Sequence, residues 1–99
     1  MRLKPETLNE LVMTVRQVAP DAGNIRLFGS RLDDCAKGGD IDLMVEFDHP
    51  LQRPAMTAAR IAAQASRVVH GRAVDVVIKA PNLRMDSIHR LAEAEGILL

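Results

Sequence analysis

The chain has 99 residues, enough for one domain and too few for two. Twenty-eight of them are Leu, Ile, Val or Phe, which excludes a disordered chain, and 13 basic residues balance 13 acidic ones, which argues against a general nucleic-acid binder. The lone cysteine, Cys35, excludes a disulfide framework or thiolate zinc site within one chain, and no apolar run reaches the ~18 residues of a membrane span.

Met1 to Pro5 has no signal-like apolar core, so the expectation is a soluble, cytoplasmic protein. Thirteen of the apolar residues are alanine, and Phe28 and Phe47 are the only aromatics. The core should therefore be thin, with a surface that a partner can complete, either a second copy or another protein. Leu8, Leu11, Val12, Val15 and Val18 recur at helical spacing. Pro5 suits the first turn of that helix, Thr7 with Glu10 has capping-box spacing, and Pro20 stops it. Ile25 to Phe28 is a short alternating strand that ends at Gly29-Ser30. Polar residues 31–39 follow, closing on Gly38-Gly39.

From Asp40 the alternation is strict, with Ile41, Leu43, Val45 and Phe47 on one face and Asp40, Asp42, Met44 and Glu46 on the other. Residues 48–54, with two prolines, form a linker. Residues 55–69 are rich in helix formers, and Gly71 lies where a left-handed cap is usual. Residues 73–78 make a third strand, apolar except for Asp75, which predicts a strand that is central or covered on both faces. Pro81 and Asn82 open a last helix with Leu83, Ile88, Leu91 and Ala92, Gly96 ends it, and residues 97–99 are an apolar tail. The predicted fold is a small α/β (α+β) domain over residues 1–99, with a mixed three-stranded sheet and helices mainly on one face.

Asp40 and Asp42, two apart on a strand, point the same way with backbones roughly 6–7 Å apart. Side by side they repel unless neutralised, and Mg²⁺ is a cation that prefers such oxygen ligands. Asp75 would be costly if buried and unpaired, and on a neighbouring strand it would supply a third ligand. Gly29 and Ser30, after a strand, offer backbone N–H groups and a hydroxyl that suit a phosphate. Each element alone also fits a plainer reading: a solvated strand face, an edge or hydrogen-bonded acid, a simple turn. Their order along the chain carries the information.

That order, Leu27-Phe28-Gly29-Ser30-Arg31, then Gly39-Asp40-Ile41-Asp42-Leu43-Met44-Val45, then Val74-Asp75-Val76-Val77, resembles the DNA polymerase beta-like nucleotidyltransferase superfamily. Within it the small size is similar to the minimal nucleotidyltransferase (MNT) group, often antitoxins encoded beside a HEPN-domain toxin. The resemblance implies the nucleotidyltransferase fold and ATP as AMP donor. It also implies two Mg²⁺ ions on Asp40, Asp42 and Asp75, phosphate contacts from Gly29 and Ser30, and a toxin tyrosine hydroxyl as acceptor. Asp75 would complete the metal site nearest that hydroxyl. Two departures stand out: Gly39 where many relatives have Ser, and Asp33-Asp34 in the intervening loop.

Arg31 is placed to reach a phosphate, and equally to be a solvated turn residue; Lys37 is a weaker candidate. Cys35 reads as a bystander. His49, His70 and His89 have no ligand spacing and read as surface residues, and Glu46 reads as a solvated strand end. Ala58, Ala59, Ala62 and Ala63 fit core packing, and equally close approach by a partner helix. The expected partners are thus a nucleotide and a HEPN-type toxin, with neither membrane nor direct nucleic-acid binding. The competing expectation is a catalytically idle module of the same fold that neutralises a toxin by occlusion. A transferase acting on a small-molecule hydroxyl would need an additional acceptor-binding domain.

Overall fold

The computed structural model describes residues 4–28 and 41–99. Among these residues three helices, α1 (Pro5–Val18), α2 (Pro54–Val68) and α3 (Ser87–Glu95), accompany four strands, β1 (Ile25–Phe28), β2 (Ile41–Glu46), β3 (Val74–Lys79) and β4 (Ile97–Leu98). The sheet order is β3-β2-β1-β4. β1 is antiparallel to both β2 and β4, and β2 is parallel to β3, so the sheet is mixed. A parallel pair needs a long crossover, and α2 with its flanking loops supplies it.

Alternation along β2 sorts the two faces of the sheet. Ile41, Leu43 and Val45 are fully buried with Leu11 and Val15 of α1 and Ile61 and Ala65 of α2 in the main core. The opposite face carries a smaller cluster of Phe28, Met44 and Ala92, with Val77 packed against it. Two helices therefore cover one face, and α3 covers the other.

Several expectations are corrected. The sheet has four strands because the apolar tail, Ile97–Leu98, pairs with Leu27 and Arg26 of β1. β3 lies at the edge of the sheet, and β2 is central. The apolar run in β3 is explained by cover from α2 on one face and the Met44 cluster on the other. α1 starts at Pro5 with Lys4 as its N-cap residue, which leaves Thr7 and Glu10 inside the helix rather than capping it. α2 ends as the sequence suggests. The N–H of Gly71 donates to Ser66 O and that of His70 to Arg67 O, with φ of +83° at Gly71 and +59° at His70.

The last helix begins at Ser87, five residues beyond Asn82. Asn82 is used elsewhere: its amide accepts from Leu51 N (3.0 Å) and donates to Leu51 O (2.8 Å), tying the loop after β3 to the linker before α2. Asp86 caps α3 instead, in a capping box with His89. His89, expected at the surface, is 7% exposed. Its Nδ1 accepts from Asp86 N–H (3.0 Å), so Nε2 must carry the proton that it donates to Ile78 O (2.9 Å). One neutral imidazole thus joins the start of α3 to β3.

Two substitutions check this account by denaturant unfolding. His89→Leu leaves the Asp86 N–H and the Ile78 carbonyl unpaired and should cost about 1–3 kcal/mol. Gly96→Ala should cost about 1–3 kcal/mol, because a Cβ there overlaps the Ala92 carbonyl oxygen at the end of α3.

Candidate functional site

The site is organised by the register of β2 and β3. Asp42 pairs with Asp75, Met44 with Val77 and Glu46 with Lys79. In parallel strands about 4.8 Å apart, register partners point to the same face. Asp42 and Asp75 therefore stand side by side, on the face away from α1 and α2. Asp42 is half-buried and Asp75 is exposed. The position of β3 at the edge removes the argument from a buried, costly carboxylate; the register opposite Asp42 takes its place. β1 ends at Phe28, which is the register partner of Asp42 from the other side. The row of carboxylates is thus level with the strand end that precedes Gly29 in sequence.

Asp40, Gly29, Ser30 and Arg31, and with them Cys35 and Lys37, lie outside the described residues. Among the described residues no group of three or more His, Cys, Asp or Glu side chains is arranged to hold a metal ion. Asp42 and Asp75 are two carboxylates on adjacent strands, a donor type that fits a hard divalent cation such as Mg²⁺, which takes few protein ligands.

The opposite end of the same face carries a network of paired charges. Glu46, expected to be solvated, has only 17% of its side chain exposed and accepts from Arg26 Nε at 2.9 Å. Lys79 Nζ lies 3.7 Å from the other Glu46 oxygen and also pairs with Glu93 of α3. The hydrogen bond between them raises the Lys79 pKa and lowers that of Glu93, because each favours its partner's charged form. Here carboxylates alternate with cations. At the other end, Asp42 and Asp75 are register partners. Met44, fully buried, and Val77, with Ala92 of α3 over them, separate the two ends.

His49 lies beyond the end of β2 and is not part of this row. Its Nδ1 is 3.1 Å from Asp48 Oδ1 and its Nε2 is 2.6 Å from Asp21 Oδ2, joining the turn after α1 to the linker after β2. The ring also meets Phe47 edge-on, with centroids 5.7 Å apart. The hydrogen bond to Asp48, then that to Asp21, raises the His49 pKa. Sequence reading missed the structural roles of His49 and His89. For His89 the signal was the Asp86-x-x-His89 spacing.

No protein-family model matches this chain, and no curated protein sequence matches it.

Because the folded-state pKa of His49 is raised, its contribution to stability is fully present below the ordinary imidazole value of about 6.5. That contribution is lost as pH rises through the elevated folded value. NMR titration should find the His49 pKa above the ordinary value in the wild type and lowered toward it in Asp48→Asn. Thermal melts across the same pH range should show a flatter decline for that variant.

Proposed function

We propose that this chain is a Mg²⁺-dependent nucleotidyltransferase that moves AMP from ATP to a tyrosine hydroxyl of a partner protein. In this reading it acts in the cytoplasm as the antitoxin of a HEPN/MNT toxin–antitoxin pair. The observation that carries the reading is the Asp42–Asp75 register on one sheet face, level with the end of β1. The motif order calls for these two carboxylates to stand together. Asp42 and Asp75, with Asp40, would hold Mg²⁺, and Gly29, Ser30 and Arg31 would meet the phosphates. The bound ions would neutralise charge on the attacking and leaving oxygens.

The reaction needs little covalent help from the protein. The acceptor oxygen forms a bond to the α-phosphorus, the bond to the bridging oxygen toward the β-phosphorus breaks, and pyrophosphate leaves as the hydroxyl proton passes to solvent water. Asp75 stands on the exposed edge strand, where a bulky acceptor such as a protein side chain can approach from solvent. Asp42 is half-buried on an interior strand. Positioning is the role these side chains would play.

The test is incubation with labelled ATP, Mg²⁺ and the protein encoded by the adjacent gene. Label should pass to that protein. Asp42→Asn and Asp75→Asn should each reduce transfer by about 100-fold or more while leaving the fold intact by circular dichroism. A folded double variant that transfers nothing yet protects against the toxin as well as the wild type would replace this reading with neutralisation by occlusion.

A further inference from the structure

From His49 to Val74 the sequence contains four arginines, Arg53, Arg60, Arg67 and Arg72, and no Asp or Glu. In a chain of zero net charge this is a marked local excess. α2 occupies most of that segment, and Arg60 and Arg67, both exposed, fall seven residues apart on it. Two helical turns bring them onto nearly the same line, about 10 Å apart along the axis. Both line a groove of about 470 Å³ between α1 and α2. Val18, Ala63 and Val68 give it apolar surface, while Gln17 and Gln64 add amide groups. Among the described residues no acidic side chain lines it. Among the described residues, neither Arg60 nor Arg67 makes an ion pair or a side-chain hydrogen bond.

We propose that the α1/α2 groove docks an acidic helix of a partner protein. Two carboxylates two turns apart on an incoming helix match the spacing of Arg60 and Arg67, and the planar guanidinium fork suits each of them. The small and aliphatic surface of Val18, Ala63 and Val68 accepts the apolar side of such a helix, as between packed helices generally. A nucleic-acid strand fits less well. Single-stranded binding relies on aromatic platforms for the bases, and the only two aromatic residues, Phe28 and Phe47, are 2% and 6% exposed.

α1 and α2 pack on the Ile41–Leu43–Val45 face, whereas Asp42 and Asp75 lie on the other. A helix docked here would leave the carboxylate row open. Docking and chemistry are then separable, and the groove does not depend on the proposed transferase activity.

The probe is an Ala-rich helical peptide of about 15 residues, long enough to hold helix, with two Glu seven residues apart. A matching peptide with Lys in place of Glu, and an oligothymidylate of about ten nucleotides, serve as comparisons. The Glu peptide should shift the amide resonances of Gln17, Ala63 and Gln64, and should bind more weakly as salt rises. Arg60→Glu with Arg67→Glu should weaken it about tenfold or more. Asp42→Asn with Asp75→Asn should leave it unchanged. Should the charge-reversed variant not fold, Arg60→Gln with Arg67→Gln is read in the same way. Failure of the Glu peptide to bind at low salt, equal binding by the charge-altered variant, or equal binding by the Lys peptide would overturn the proposal. So would tighter binding of the oligothymidylate at the same resonances, which would reassign the groove to nucleic acid.

Discussion

Parallel pairing of β2 with β3 is the constraint on which the arrangement of this molecule depends. Register matters absolutely in a strand pair, since a slip of one residue moves every side chain to the opposite face. Here the slip would place Ile41, Leu43 and Val45, all fully buried, against the α3 side, and would turn Asp42 into the core beneath α1 and α2. Burying an unpaired carboxylate there costs several kcal/mol. The apolar residues that build the core thus also hold Asp42 and Asp75 level with one another.

The two faces of the sheet are put to different uses. One is sealed by α1 and α2 and supplies most of the core. The other is only partly covered. α3 reaches across its middle, pinned by His89 to Ile78 O and by Glu93 to Lys79, with Ala92 on Met44 and Phe28. At one end of this face Arg26 and Lys79 surround Glu46, and at the other Asp42 stands beside Asp75. A short helix placed over the centre lets a small domain keep both a second apolar cluster and an accessible row of carboxylates.

Surface charge follows a similar division. The acid-free stretch from His49 to Val74 puts Arg60 and Arg67 on the exposed side of α2, while Asp42 and Asp75 lie across the sheet. A partner guided by the arginines would approach from the side opposite the carboxylates.

Period-2 alternation from Ile41 to Glu46 and the helical spacing of Leu8 to Val18 were legible in the sequence because burial of one face imposes them directly. The cap at Gly71 was legible for a related reason, since a left-handed backbone position leaves a local mark. Pairing between distant segments leaves no such mark. That Asp75 stands on an edge strand, in register with Asp42, depends on strand order, and that order is set by the α2 crossover and by packing on both faces. The tail at Ile97–Leu98 became a strand only because β1 had an open edge to receive it. The Asp86-x-x-His89 spacing marks a helix start, but His89 is buried because α3 folds back over β3 and brings the Ile78 carbonyl to its Nε2. Local spacing determined most of the elements and which residues share a face of each; tertiary packing decided which of those faces meet and made a strand of the tail.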